Sequence, residues 1–172
     1  MTQELLDLRL SILEGRYQDA LAIVDELEGM SKQAILRNIA SFLVRIMIHL
    51  IKNQIEQRLT NSWVASISDS LLELRALNLR DNKTSHYIKP DEWLPYLEEA
   101  TERAIRPASV EVLQGRLKPF QLSEQMDRSA LVATAEKLIA LTYQYPAKDL
   151  PAAIDACIAE LPGGDEWFED RQ

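Results

Sequence analysis

Apolar residues recur with a helical period along most of this chain, and they are densest over residues 34–52, AILRNIASFLVRIMIHLIK. There they reach almost all the way round a helix. Asn38, Ser41, Arg45, His49, Lys52 and Glu56 step by three and four, so they form one polar stripe within about 120° of arc. A helix that is apolar on every other side is an axis about which others pack. The predicted central helix runs over about 32–59.

Ahead of it, Thr2 caps a first helix that reaches about Glu14 and closes at Gly15. On this helix Leu5, Leu8 and Ile12 lie beside Leu6, Leu10 and Leu13, an apolar arc broken only by Arg9. Such an arc is wider than one packing partner requires, so it touches two elements or forms an oligomer interface. A second helix covers about 17–28, and Gly29 and Ser31 mark the boundary before the third. Asn61-Ser62 then breaks the path and recaps a fourth helix, with Trp63, Ile67, Leu71 and Leu74 on one side and an end near Asn78. Residues 80–89 read as a surface loop. Pro90, Asp91 and Glu92 start a fifth helix, which Pro107 ends.

Val110 and Val112 alternate with polar residues ahead of Gln114-Gly115, which predicts a short β-hairpin near 109–120. Helices over about 124–143 and 149–161 follow, then an acidic aromatic tail over 165–172. The fold class is therefore mainly α, a helical bundle around the long apolar helix. It forms a single domain over 1–172, with a core over 1–106 and an extension over 107–172 that packs the hairpin and two helices on it.

Composition narrows the chemistry. Hydrophobic residues at 47% supply a core without disulfides, and as Cys157 is the only cysteine no intrachain disulfide or thiolate metal cluster is available. Cys157 falls on the apolar side of its helix and reads as a small buried hydrophobe. No Gly-x-Gly-x-x-Gly or Walker-type loop occurs among the five glycines. A net charge of −8 leaves little basic surface for phosphates, so no nucleic-acid partner is expected. The N-terminus lacks the basic start of a signal peptide. Arg37, Asn38, Arg45 and His49 interrupt the apolar run, and burying two arginines in lipid costs roughly 5–7 kcal/mol. The expectation is a cytoplasmic protein with no membrane partner.

His49 stands out as a candidate base or ligand because it lies in the polar stripe with Arg45 and Lys52. Folding the second helix back on the third would bring Glu26 and Glu28 toward it, with Arg45 or Lys52 to hold an anion. A buried network of salt bridges and hydrogen bonds is the plainer account of the same stripe. Glu98, Glu99 and Glu102 are accompanied by Arg103 and Arg106, as on an exposed charged face. No serine-nucleophile motif occurs, and neither His49 nor His86 has a second histidine at metal-ligand spacing. No catalytic residue, cofactor or metal is assigned.

The string Asp25-Glu26-Leu27-Glu28-Gly29-Met30 is followed by Met47-Ile48-His49-Leu50-Ile51-Lys52, then Arg58, Asn61-Ser62-Trp63 and Ile67. In order and spacing these resemble the helical family called domain of unknown function twenty-nine, which is abundant in cyanobacteria. The resemblance covers residues 2–78, with Asp25 for a glutamate, Ser31 for a glycine and Asn53 for a common tryptophan. It implies an all-helical cytoplasmic protein with no established activity or cofactor, and it makes His49, Lys52, Arg58, Ser62 and Trp63 signature positions without assigned roles. The leading expectation is a non-catalytic protein–protein interaction or regulatory module, with a protein partner or a second copy as a homodimer. The alternative is a small metal-dependent or hydrolytic enzyme using His49 with Glu26, Glu28 and Arg45.

Overall fold

Side chains decide where this chain becomes helical and where it stops. A computed structural model describes residues 2–169, and among them are eight helices and no β-strand. They are α1 (Gln3–Leu13), α2 (Tyr17–Glu56), α3 (Asn61–Asn78), α4 (Leu94–Glu111), α5 (Pro119–Gln125), α6 (Arg128–Gln144), α7 (Leu150–Ile158) and α8 (Gly164–Glu169). The chain divides into two compact units, residues 1–38 and 39–172.

The predicted second and third helices are one element. α2 runs 40 residues through Gly29 and Ser31 without a break. A helical glycine costs about 1 kcal/mol relative to alanine, too little to interrupt good helix formers on either side. A Cβ added at Gly29 would meet nothing within 4 Å, so no packing constraint acts there. α2 ends three residues earlier than 59, where Gln57 turns left-handed (φ 54°) and its N–H donates to the Asn53 carbonyl at 2.8 Å.

In the first unit, α1 is followed by a turn at Gly15 (φ 73°) and the first part of α2. Arg16 donates to Glu14 and to Asp19, both at 2.9 Å, across that turn. Thr2 makes no side-chain cap. Ser11 and Ala20 are the buried residues among 2–38, and both are small. The apolar arc is not buried: Leu5, Leu6, Leu10, Ile12 and Leu13 are exposed, as are Tyr17 and Leu21.

The second unit holds the core. Ile39, Leu43, Ile46, Met47, Leu50 and Ile51 from α2 are buried with Ile67, Leu71 and Leu74 from α3. α4 packs on α5 and α6, while α3 and α6 both pack on α7. Ala100, Ala104 and Ala108 form the buried stripe of α4, small enough for close helix approach. The Gln54 side chain exchanges two hydrogen bonds with the Asp127 backbone (3.0 and 3.1 Å), tying α2 to the start of α6. The bundle around a long apolar helix is thus the observed architecture. By length and hydropathy (1.7) α2 is also able to cross a membrane, although a third of that stretch (33%) is buried within the fold.

The hairpin near 109–120 does not form. Pro107 lies inside α4 rather than at its end, and α4 continues to Glu111. Pro107 removes one backbone donor, yet the remaining turn holds because buried Ala104, Ala108 and Val112 keep that face against the core. Val110 is exposed and Val112 buried, so their alternation reflects the helix end and not a strand. A tight turn follows in which Leu113, Gln114 and Gly115 are successively left-handed (φ 48°, 60° and 77°). The helix predicted over 124–143 is α6, which starts later, at Arg128, where Asp127 caps it through the Ala130 N–H at 3.1 Å; the short α5 precedes it. Part of the tail, Gly164–Glu169, is helical, while Asp170 and the residues after it lie outside the described residues. Cys157 is half-buried, and burial raises its thiol pKa.

Candidate functional site

Four of the five signature positions lie where the end of α2 meets α3 and α4. Lys52 is buried (8% exposed), and its ammonium donates to Glu111 of α4 at 2.8 Å. It also stands 4.7 Å from the centroid of the Trp63 ring. The Arg58 guanidinium lies at the same distance, 4.7 Å, from that ring. A cation over an indole face is attracted by the ring quadrupole, so Trp63 helps hold two like charges close together. Ser62 stands apart, exposed on the first turn of α3. The cap of that helix is Thr60, whose hydroxyl accepts from the Trp63 N–H at 3.1 Å, one position before the predicted Asn61-Ser62.

Asn53, beside Lys52, stands where the resemblance has a common tryptophan, and nothing in the sequence pointed to its contacts. Its amide donates to the Arg58 carbonyl (3.1 Å) and to the Pro162 carbonyl (2.7 Å). That pins the 57–60 loop to the chain ahead of α8. Gly163 approaches so closely that a Cβ there would lie 2.7 Å from the Arg58 Cα.

Glu56 pairs with Arg58 at 2.9 Å and accepts from the Leu113 N–H of the left-handed turn at 3.4 Å. Glu56, Arg58, Glu111, Leu113, Gln114 and Arg116 line a cleft of about 310 Å³. Non-glycine residues in the left-handed region cost of order 1 kcal/mol or more each, and such strain gathers where surroundings over-determine the backbone. Gln57, Leu113 and Gln114 are three of the four such residues among those described, and all adjoin this cleft. Its lining offers ion pairs and amides for binding, and no thiol, hydroxyl or imidazole for covalent chemistry.

His49 lies one turn before Lys52. Burial, with Lys52 and then Arg45 adding to it and Glu111 opposing, pushes its imidazole down to about 4. It is therefore neutral near pH 7, and its buried Nδ1 has no hydrogen-bond partner. Of the predicted stripe, Lys52 finds its partner in Glu111 of α4, and no bond reaches His49 Nδ1. Arg45 instead stacks at 5.4 Å on the Phe42 ring. Glu26 and Glu28 are carried along α2 itself, so the helix pair that would have folded them back toward His49 does not exist. Among the described residues no three His, Cys, Asp or Glu side chains are placed to hold a metal ion.

The sign of the His49 shift fixes a pH dependence. Between pH 6.5 and about 4 the unfolded chain takes up a proton on this residue that the folded chain does not. Stability from this source is flat above that window and is lost as pH falls through it. His49→Leu removes this component, so its urea midpoint declines less steeply than wild type between pH 7 and pH 5. Parallel declines in the two proteins would refute the assignment.

A larger groove, about 610 Å³, lies between α4 and α6 and is lined by Leu94, Glu98, Thr101, Glu102, Arg128 and Glu136 among others. Glu102 is bonded by Arg128 (2.5 Å), whose guanidinium lowers the carboxyl pKa. Glu98, Glu99 and Glu102 are all exposed, as a charged face requires.

No curated protein and no solved structure matches the chain. One family model does, from the turn ahead of α2 to the start of α6. The chain belongs to the family described as Domain of unknown function DUF29, which it matches over residues 16–131.

Proposed function

We propose that this chain is a non-catalytic interaction module of the cytoplasm that docks a protein partner through α1, with no part for nucleic acid or a membrane. The observation that carries this reading is the exposure of Leu5, Leu6, Leu10, Ile12, Leu13, Tyr17 and Leu21 in one short stretch of chain. Single exposed leucines are ordinary, whereas a contiguous apolar patch larger than a few hundred Å² marks an interaction site. The first unit adds a second reason. Its buried residues are a serine and an alanine, so it gains little of the apolar burial that stabilises a small unit. A partner seated on α1 supplies that burial. His49, by contrast, is neutral, and among the described residues no three His, Cys, Asp or Glu side chains are placed to hold a metal ion with it.

A photo-crosslinking residue placed at Leu13 of the full chain, expressed in its host, tests this. Irradiation yields a discrete protein adduct, and Leu10→Glu in the same chain abolishes it. Because Leu10 is exposed, that substitution changes folding stability by no more than about 0.5 kcal/mol. Irradiation that gives no adduct sinks the reading.

A further inference from the structure

Resting on that reading, we infer that the partner on α1 is a second copy of this chain, paired parallel and in register along Leu6, Leu10 and Leu13. These three are four and three residues apart, which is the spacing of a coiled-coil seam, and all are exposed. Arg9 and Glu14 flank the seam from opposite sides and are five residues apart. In a parallel pair that offset sets each Arg9 beside the partner's equivalent of Glu14, and two-fold symmetry makes the contact twice. An antiparallel pair would bring the two Arg9 flanks together. The surface is thus complementary to itself in one orientation. Glu14 bonds Arg16 in the single chain, but that pair is exposed and gives way cheaply.

Beside the seam, Leu5, Ile12, Tyr17 and Leu21 are exposed in the same unit and extend the apolar surface around it. Ser11 and Ala20 are the buried residues of the first unit, and its larger apolar side chains Leu8, Ile23, Val24 and Leu27 are only half-buried. A second copy adds a matching apolar seam.

Sedimentation equilibrium of the full chain, carrying Arg9→Glu, Glu14→Arg or both, tests the inference. Wild type is a dimer. Each single reversal turns two attractive contacts into two repulsive ones and weakens the dimer about tenfold. The double reversal restores the dissociation constant to within about twofold. Circular dichroism confirms that helix content is unchanged, since every substituted position is exposed. A double variant no tighter than the singles overturns the parallel register. A single-chain mass for wild type at every concentration overturns the second copy. If the Leu13 crosslink then captures a different protein, the interaction reading stands without the dimer; if it captures nothing, both fall.

Discussion

Asn78→Leu lowers stability by about 3–5 kcal/mol, because it dismantles a fully bonded buried network. The Asn78 amide donates to the Ile88 carbonyl (3.0 Å) and to the Tyr143 hydroxyl (2.9 Å), and its oxygen accepts from the Ile88 N–H (2.7 Å). Tyr143 in turn donates to the Ile88 carbonyl (2.5 Å) and accepts from the Trp93 indole (2.7 Å). Leucine has the branching of asparagine but none of its polar atoms, so it strands the Ile88 N–H without solvent. This network fastens the 79–93 connection between α3 and α4, where Ile88 and Trp93 are both buried. The loss is read from urea unfolding. A cost below about 1 kcal/mol would mean that the network adds little to its apolar surroundings.

Glu111→Ala and Lys52→Met, although they break the same ion pair, differ sharply in cost. Removing Glu111 leaves a buried ammonium beside Arg58 with only the Trp63 ring for compensation. Breaking a buried pair this way costs up to 5 kcal/mol, and the half-exposed Glu111 reduces that to about 2–3 kcal/mol. Lys52→Met keeps an unbranched apolar stem in the same space and frees Glu111 to turn to water, so it costs less than about 1 kcal/mol. Equal costs, or the reverse order, would show that the cluster does not confine a charge. Trp63 fluorescence, sensitive to the nearby cations, changes in both variants and reports that the right site was altered.

Much of the architecture was legible because one segment is so unbalanced. The apolar residues around Leu43, Met47 and Leu50 can be buried on all sides only if the helix is central. The boundaries misread at Gly29, Ser31 and Pro107 share one cause. Each residue carries a local penalty, from under about 1 kcal/mol for serine to about 3 kcal/mol for proline, and the neighbouring turns outweigh it. Gln114-Gly115 pointed to a tight turn, but not to left-handed Leu113 and Gln114, since neither residue favours that conformation. Lys52, Arg58 and Trp63 were recognisable as signature positions. Their meeting with Glu111 was not, because 59 residues separate Lys52 from it and no periodicity spans that distance. Asn78 looked like the end of a helix, and nothing in its neighbourhood announced Tyr143. The wide apolar arc of α1 was plain from spacing alone, and its exposure is what gives it functional weight.

The account turns on that arc being half of an interface. The most direct test is the molar mass of the purified full chain by light scattering across a concentration series. The account predicts twice the single-chain mass for wild type and the single-chain mass for Leu10→Glu. A single-chain mass for both at every concentration would contradict it.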